Sequence, residues 1–366
     1  MKIPTGPEAL TTKWLNHVLH ETGTIRQASV LSMISQVMGD EEGLTGSGQM
    51  VRLHLTYTHD EVEAPPTLIA KFSSPDPVLR AEFHAYELYE REVHFYHEIA
   101  HQVELRTPRC YYGALDQESG YCVLLLEDLA PVRSGGDNYA LCSLQEAELA
   151  MRELARFHVS WWQSPKLASL GWLRRQPQVY QAFHDAYQQR WGSFLDQVGH
   201  SLAPPIVAIG EQFACNPGDY WSRLQGPPQT IIHNDYNLGN LLFLETPLGG
   251  LSLAVIDWQV VSLGHGLYDV ALFLGRHLPP EDQRAKEMEF LKLYHTILSE
   301  NGVQGYSFAQ CLYDYRLFLL TDLWRAVFFI GGGKTTKAEI HAFSSVVLPR
   351  CSRALLDHQV SELLPK

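Results

Sequence analysis

The sequence predicts an α+β fold of two lobes, with an antiparallel β-sheet and helices in the N-terminal lobe and a larger, mainly helical C-terminal lobe. The length of 366 residues suggests two lobes in one compact unit. Alternating apolar residues, typical of strands, recur up to Leu126, whereas helical spacing dominates beyond Ala130. We therefore expect an N-terminal lobe over residues 1–129 and a C-terminal lobe over residues 130–366.

Composition and charge narrow the classes of function. Apolar residues make up 45% of the chain and charged residues 19%, as expected for a globular protein with a large core. The net charge of −13 disfavours non-specific binding of nucleic acid. The six cysteines form no CxxC pair, which argues against zinc or a disulfide framework and fits a reducing compartment. Because no stretch approaches the roughly 20 apolar residues of a membrane helix, and the N-terminus has no apolar signal core, we expect a cytoplasmic protein without a membrane partner.

The predicted N-terminal lobe begins with a helix and continues with strands. Residues 8–21 have helical spacing, with Thr11 or Thr12 as the capping residue. A helix rich in Glu, His and aromatic residues is expected over residues 78–101. Strands are expected at residues 30–38, 50–58 and 67–72, with a further strand pair at 108–113 and 121–126.

A glycine-rich turn joins the first two of these strands. The backbone N–H groups of such a turn can approach a phosphate closely, so Gly46, Ser47 and Gly48 are candidate nucleotide contacts. An ordinary hairpin loop is the alternative interpretation. The chain has no GxxxxGK[ST] motif, which excludes a P-loop NTPase.

Lys71, near the end of an apolar strand, is a candidate contact for the phosphates of a nucleotide. An exposed lysine at a strand end is the alternative. A lysine inside a strand needs a carboxylate that holds it in position, and the following helix offers several. We choose Glu92 as this partner, with Glu87 and Glu90 as fallbacks, although each of these residues would ordinarily belong to a solvated helix face.

The strand over residues 121–126 runs directly into Glu127-Asp128-Leu129, and proline and glycine residues then break the pattern. The edge of an adenine ring needs free backbone N–H and C=O groups beside apolar walls. We expect the backbone of Glu127 and Leu129 to supply them. A simple exit from strand to loop is the alternative.

The polar loop from His233 to Asn240 lies between two apolar runs and is the motif around which the chain is organised. A hairpin turn at residues 247–250 then leads a return strand to Asp257. This hairpin would bring Asn240 and Asp257 to the same end, with Asp235 nearby. Their oxygen atoms suit a Mg²⁺ ion that bridges phosphates, and Asp235 is left to orient a hydroxyl and accept its proton. A plain Asx-rich turn is the alternative, but it does not explain the second carboxylate.

The remaining C-terminal segments are predicted to be helices, and those over residues 178–198 and 205–221 are expected to contribute to an acceptor pocket. The full set of helices is expected over residues 143–162, 178–198, 205–221, 281–301, 308–330 and 337–364. Within them, His158 is expected to be a buried core histidine with satisfied hydrogen bonds. Asp269 is expected to cap a helix or to brace the catalytic loop.

Taken in order, these motifs resemble the aminoglycoside phosphotransferase and choline kinase-like group of small-molecule kinases. The spacing His-x-Asp-x-x-x-x-Asn, followed by a strand and Asp, is the catalytic-loop signature of kinase-like phosphotransferases. The Glu-Asp-Leu hinge and the sequence Asp257-Trp258-Gln259 favour the ecdysteroid kinase-like branch. The family pattern is His-Gly-Asp, and here Asn234 stands in place of the glycine. Asparagine tolerates unusual φ/ψ values better than most residues.

The resemblance implies a two-lobed protein-kinase-like fold that binds ATP and Mg²⁺. By motif position, Asp235 would be the catalytic base, Asn240 and Asp257 the Mg²⁺ ligands, and Lys71 the phosphate contact oriented by Glu92. The implied activity is transfer of the γ-phosphate to a hydroxyl of a small molecule, such as a steroid-like alcohol, an amino alcohol, a sugar or an antibiotic. The alternatives are a pseudokinase-like module that binds nucleotide without turnover and a metal-dependent hydrolase that uses the same carboxylates.

Overall fold

A computed structural model of the chain describes residues 2–39, 44–45, 48–130, 133–134, 139–246, 249–333 and 335–365. Contacts within the chain divide it into two compact units. The first unit comprises Met1–Val132 and Val255–Val260, and the second comprises Arg133–Ala254 and Val261–Lys366. The short segment that carries Asp257 therefore packs as part of the first unit.

An antiparallel sheet forms the centre of the first unit. The strands are β1 (Val30–Met38), β2 (Leu44–Thr45), β3 (Gly48–Tyr57), β4 (Thr67–Ser73), β5 (Cys110–Leu115) and β6 (Cys122–Glu127). Their order in the sheet is β1-β3-β4-β6-β5, and β2 pairs with the first residues of β3. The alternation of side chains along each strand gives the sheet one buried apolar face.

Helix α1 (Thr12–Glu21) covers this apolar face. The Thr11 hydroxyl accepts the backbone N–H of Trp14 at 3.1 Å, so Thr11 is the capping residue of the two that the sequence left open. Leu15 and Leu19 are fully buried in the same apolar cluster as the sheet residues. The sheet and α1 together therefore form the core of the first unit.

The single helix predicted over residues 78–101 is wrong, because the structure divides it. Helix α2 (Pro77–Ala85) ends before Glu87, which has a φ of 60°, and helix α3 (Leu88–His94) begins after it. A left-handed residue cannot continue a right-handed helix. Beyond α3 the chain continues in a π-helical turn over Phe95–Ile99.

Helices make up most of the second unit. They are α4 (Leu144–Trp161), α5 (Pro177–Val198), α6 (Pro204–Cys215), α7 (Tyr220–Gln225), α8 (Leu267–His277), α9 (Pro280–Glu300), α10 (Phe308–Phe318), α11 (Leu320–Ile330), α12 (Lys337–Ala342) and α13 (Leu348–Asp357). The short strands are β7 (Arg133–Ser134), β8 (Thr230–Ile232), β9 (Leu241–Glu245), β10 (Leu251–Val255) and β11 (Ser262–Gly264). Strand β9 lies between β10 and β7, and β8 pairs with β11, so the candidate catalytic loop leaves β8 and enters β9.

Several predicted helices are divided in the second unit. The helix predicted over residues 205–221 stops at Cys215, because Pro217 lacks an N–H and Gly218 has a φ of 56°. The helix predicted over 308–330 breaks at Leu319, and no local residue accounts for that break. The helix predicted over 337–364 passes through a π-helical turn and ends before Gln359, whose φ is 51°.

The predicted fold class is confirmed, since an N-terminal antiparallel sheet is followed by a mainly helical region. The six cysteines are free thiols, as expected. None of the helices in the described ranges combines the length and apolar character that a bilayer-spanning helix requires.

Candidate active site

Lys71 is held between two carboxylates in the first unit. Strand β4 buries Ala70 and Phe72, and side-chain alternation turns Lys71 to the opposite face of the sheet. Its Nζ lies 2.8 Å from the Glu92 carboxylate and 2.6 Å from the Asp257 carboxylate. The predicted contact between Lys71 and Glu92 is therefore present, and Asp257 joins the same cluster.

The two fallback carboxylates have other partners. Glu87 forms an ion pair with Arg91 at 2.5 Å, and Glu90 lies 2.5 Å from His84. Glu92 is 3% exposed and faces the lysine from α3. The break at Glu87 thus starts a new helix, and the carboxylates of Glu87, Glu90 and Glu92 each have a different partner.

One ammonium shared by two carboxylates leaves the Lys71 cluster with a surplus negative charge. Burial lowers the pKa of Lys71, but the charges of Asp257 and Glu92 outweigh that effect and the net shift is upward. Burial raises the pKa of Glu92, Lys71 opposes the rise, and the charge of Asp257 adds to it. Such a cluster has a chemical reason to attract a divalent cation.

The two residues that follow Asp257, Trp258 and Gln259, hold this part of the site in place. Asp257 has a φ of 63°, a conformation that Asp adopts more readily than most residues. The fully buried Trp258 ring stacks on Phe95 with ring centroids 3.9 Å apart, and its backbone N–H donates to Glu92. The Gln259 amide donates to the second oxygen of Asp257 at 3.2 Å. Gln259 therefore orients the Asp257 carboxylate, and Trp258 anchors the segment that carries it.

In the second unit, Asn240 lies against Asp235. The Asn240 amide nitrogen donates to the main-chain oxygen of Asp235 at 2.9 Å and to its Oδ2 at 3.0 Å. Because the nitrogen is committed to these acceptors, Oδ1 is the Asn240 atom that a cation can use, and an amide oxygen suits Mg²⁺. The convergence of these two residues with Asp257 stays a prediction.

Arg325, which the sequence did not indicate as a site residue, contacts the same loop. Its Nη1 donates to the main-chain oxygen of Asn234 at 2.8 Å, and its Nη2 lies 2.5 Å from Oδ1 of Asp235. Burial raises the pKa of Asp235, but the positive charge of Arg325, with smaller contributions that include His233 and the hydrogen bond from Asn240, outweighs it, so the net shift is downward. Arg325 lies 90 residues beyond Asp235 in an ordinary helical pattern, and no motif marks it.

Asp269 braces the loop from the other side and does not cap α8. Its Oδ2 accepts the backbone N–H of His233 at 2.7 Å, and its Oδ1 accepts that of Asn234 at 2.9 Å. Asn234 has a φ of 67°, which fits an asparagine at the position where the family pattern has glycine. Of the two roles that the sequence left open for Asp269, bracing is the one observed.

His158 is fully buried, as predicted. Its Nε2 lies 3.3 Å from the Asp269 carboxylate, and its Nδ1 lies 2.8 Å from the hydroxyl of Tyr294. Both ring nitrogens therefore have partners, and the prediction of a satisfied core histidine is confirmed. Through Asp269, His158 supports the candidate catalytic loop.

The predicted nucleotide loop is described only in part. Gly46 and Ser47 lie outside the described residues. Gly48 begins β3, and a Cβ atom there would overlap the carbonyl oxygen of Phe72, so close approach of two strands already requires glycine. Its contact with a nucleotide stays a prediction.

The hinge segment, Glu127-Asp128-Leu129, is held in place by both backbone and side-chain contacts. The backbone N–H of Glu127 donates to the carbonyl of Arg109 at 2.8 Å and is therefore already used. The groups that stay predicted to bind the adenine edge are the Glu127 carbonyl and the backbone of Leu129. Between them, the Asp128 carboxylate accepts Nε of Arg52 at 2.7 Å, an ion pair that the sequence did not indicate.

The site residues that the sequence predicted lie within a segment that matches a known family. Residues 46–303, more than half of the chain, match the family described as ecdysteroid kinase-like. The chain belongs to the ecdysteroid kinase-like family. This membership indicates a small-molecule phosphotransferase. The matched segment contains Lys71, Asp235 and Asp257. No curated protein sequence matches the chain.

Solved structures share the fold of this ecdysteroid kinase-like protein. A protein from Ralstonia eutropha JMP134 classed with the aminoglycoside phosphotransferases has a TM-score of 0.55 at 15% identity, over 97% of this chain and 99% of that one. Choline kinase from Cryptosporidium parvum has a TM-score of 0.53 at 10% identity, over 96% and 98%. A variant of aminoglycoside 2'-phosphotransferase IIIa in complex with GDP has a TM-score of 0.50 at 12% identity, over 96% and 98%. At such low identity, these similarities establish a shared fold and nothing beyond it.

Proposed function

We propose that this ecdysteroid kinase-like protein transfers the γ-phosphate of ATP to a hydroxyl group of a small molecule. The observation that supports this most strongly is the Lys71 ammonium, fixed between the carboxylates of Glu92 and Asp257. Phosphoryl transfer depends on positioning and charge neutralisation more than on covalent chemistry. A fixed ammonium meets this need for the α- and β-phosphates. In this proposal residues 1–129 bind the nucleotide, and residues 130–366 supply the base and bind the acceptor.

Asp257 and Asn240 are the proposed Mg²⁺ ligands. The surplus negative charge at Asp257 and the orientation of the Asn240 amide support this assignment. A bound Mg²⁺ ion would neutralise charge on the phosphate oxygens. Across the described residues no three His, Cys, Asp or Glu side chains gather into a metal site. Mg²⁺ at phosphate-transfer sites generally takes one or two carboxylates and completes its shell with phosphates and water.

Asp235 is the proposed catalytic base. Each carboxylate oxygen of Asp235 can accept two hydrogen bonds. Arg325 donates to one oxygen and Asn240 to the other, so each oxygen can still accept a hydrogen bond from the hydroxyl of the substrate. The lowered pKa of Asp235 keeps it ionised at neutral pH. It would hold the hydroxyl in line and take its proton as the new oxygen–phosphorus bond forms and ADP leaves.

Backbone groups are proposed to complete the nucleotide site. Gly46, Ser47 and Gly48 would cover the phosphates, as a glycine-rich turn can. The carbonyl of Glu127 and the backbone of Leu129 would bind the adenine edge.

The acceptor is proposed to be a steroid-like alcohol, an amino alcohol, a sugar or an antibiotic, with apolar or ring-shaped compounds favoured. Aromatic side chains surround the part of α11 that carries Arg325. Trp324 stacks on Phe328 with ring centroids 5.6 Å apart, and Phe183 lies 5.3 Å from Trp324. Phe329 follows, and it is 53% exposed. Aromatic faces of this kind bind rings well.

A screen of hydroxyl-bearing metabolites for ADP release, with and without Mg²⁺, tests the proposal. We expect one acceptor class to stimulate Mg²⁺-dependent turnover. Asp235→Ala should lower turnover by about 10³-fold and leave ATP binding intact, since a positioned base contributes about 10²–10⁴-fold. Asp257→Ala should weaken Mg²⁺-dependent ATP binding instead.

Asp185→Ala is the matched control, because this carboxylate accepts the amide of Gln181 on the same helix, α5. It should leave both turnover and binding unchanged. Nucleotide binding without ADP release for any acceptor or for water would favour the pseudokinase-like alternative and contradict the proposal.

A further inference from the structure

Arg325 makes two directed contacts with consecutive residues of the candidate catalytic loop. We propose that Arg325 is a positioning residue for phosphoryl transfer, because its guanidinium holds the main chain at Asn234 and the carboxylate of Asp235 at the same time. This inference rests on the proposed function of Asp235. It concerns how that carboxylate is kept in place.

The planar guanidinium suits this task. Nη1 donates to the carbonyl of Asn234 and Nη2 to Oδ1 of Asp235, so the two ends of one rigid group bind a main-chain and a side-chain oxygen. This pairing fixes the Asp235 side chain relative to its own backbone. A lysine ammonium is a compact point charge on a flexible stem, so at this position it would not reproduce the two separate, directed hydrogen bonds of the planar guanidinium.

The guanidinium is itself supported within the second unit. It forms a hydrogen bond with the hydroxyl of Tyr268 on α8, and it lies 5.9 Å above the ring of Phe329, one turn further along α11. Tyr268 precedes Asp269, which binds the N–H groups on the other side of the loop. Two neighbouring residues of α8 therefore support the loop, one directly and one through Arg325. Site residues that are held by rigid helices in this way keep their geometry during the reaction.

The backbone of the loop gives a reason for this support. Asn234 has a φ of 67°, a left-handed conformation that is strained when a residue other than glycine adopts it. Such a conformation persists when surrounding contacts over-determine it. The carbonyl of Asn234 is one of the atoms that Arg325 binds, so loss of the guanidinium should release both the strained peptide and the adjacent carboxylate.

Arg190 offers a matched control. Its Nη1 donates to the carbonyl of Phe328 at 2.6 Å, and its guanidinium stacks on the Phe328 ring at 4.3 Å. It therefore contacts α11 through the same kinds of interaction as Arg325 but binds no residue of the catalytic loop among those contacts. Arg190→Gln measures what loss of an arginine against α11 does to the fold.

The test compares full-length wild type with Arg325→Ala, Arg325→Lys and Arg190→Gln. ADP release is measured with the acceptor found in the screen, or with water where none is found. Arg325→Ala should lower kcat by about 10²-fold, the size of loss that a small misplacement of a catalytic group produces. Its KM for ATP and for the acceptor should stay within about twofold, because ground-state binding is untouched. Added guanidinium ion should restore Arg325→Ala at least in part and should not restore Asp235→Ala.

Other results would overturn the positioning role. A kcat of Arg325→Ala equal to that of wild type would do so, as would an equal loss in Arg190→Gln. A rise in the KM of the acceptor with kcat unchanged would mean that Arg325 binds the acceptor instead. Full activity in Arg325→Lys would remove the need for two directed bonds.

A thermal-unfolding cycle separates this inference from the proposed function, because it needs no turnover. The double variant Arg325→Ala/Asp235→Ala should lose less in Tm than the sum of the two single losses, since the residues share one interaction. Additive losses would mean that the pair is not coupled, and the positioning role would fail. A wild type that binds no ATP would refute the proposed function while leaving this cycle readable.

Discussion

The Asp269 carboxylate accepts the backbone N–H of Asn234 at 2.9 Å, immediately before the candidate catalytic base. Its other oxygen accepts the N–H of His233 at 2.7 Å, and the side chain is fully buried. Hydrogen bonds to a charged group contribute roughly 1.5–3 kcal/mol each. The conformation of the loop therefore depends strongly on one carboxylate of α8.

Asp269→Asn should lower both stability and turnover. The substitution keeps the shape but turns an NH₂ group towards a backbone N–H, which leaves a buried donor unpaired and costs about 1–3 kcal/mol. Urea unfolding measures the loss, and ADP release by the folded protein should fall with little change in ATP affinity. Asp314→Asn is the control: Asp314 is equally buried and pairs with Arg223 at 2.8 Å, so it should cost stability and leave kcat unchanged. Unchanged kcat in Asp269→Asn would contradict the bracing role.

Lys71→Met should lower ATP affinity and also destabilise the first unit. Removal of the lysine leaves the buried Glu92 beside Asp257 without a counter-charge, and a broken buried pair typically costs about 3–5 kcal/mol. Lys71→Met/Glu92→Gln should recover much of the stability but none of the ATP affinity, which separates folding from binding. Calorimetric titration with ATP and urea unfolding measure the two effects. As a control, Lys286→Met, at an exposed lysine paired with Glu289, should change neither ATP affinity nor stability. Recovered ATP binding in the double variant would contradict the role of Lys71.

Local patterns were enough to predict that Lys71 pairs with a carboxylate of the helical segment that follows its strand. The alternation along β4 turns this lysine away from the core, and a partner had to come from the acidic helical segment that follows. The sequence contains no glycine or proline between Ala85 and Leu88, so nothing signalled the left-handed Glu87 that ends α2. The choice of Glu92 among three carboxylates was correct. The structural reason for this pairing, a new helix that begins after the break at Glu87, could not be read from the sequence.

Long-range contacts of single arginines were beyond what the sequence could predict. Helical periodicity shows which face of α11 is buried, but not that Arg325 reaches Asp235, 90 residues away. The same holds for Arg52 and Asp128, which are 76 residues apart. A long flexible side chain can satisfy its charge in many directions, and the fold alone selects one. The contact between Asn240 and Asp235 in the candidate catalytic loop was predictable, because the two residues are close together in the chain.

Asn234→Ala and Asn234→Gly should differ in stability because the φ of Asn234 is 67°. Both variants lose the side-chain amide that donates to the Ser262 hydroxyl. Alanine also meets the steric cost of the left-handed region, roughly 1–2 kcal/mol, which glycine avoids. We expect Asn234→Gly to be the more stable variant by urea unfolding and the more active by ADP release. The order should not hold at Asn301, a helix-terminal asparagine with a φ of −100°, and equal stability of the two Asn234 variants would refute the backbone explanation.

His277 should make the protein less stable as the pH falls from about 6.5 towards 3. Its Nε2 accepts the backbone N–H of Leu238 at 3.3 Å and its Nδ1 faces the carbonyl of Ala140 at 3.0 Å, so the neutral ring is the form that the fold accommodates. Burial and the charge of Arg276 lower its pKa to about 3. The unfolded chain, with a histidine pKa of about 6.5, then binds more protons than the folded chain, and stability falls by up to about 1.4 kcal/mol per pH unit in this window. His277→Gln keeps a donor and an acceptor without titrating, so its unfolding free energy should fall less steeply between pH 6.5 and 5 than that of wild type, and parallel curves for the two proteins would contradict the assignment.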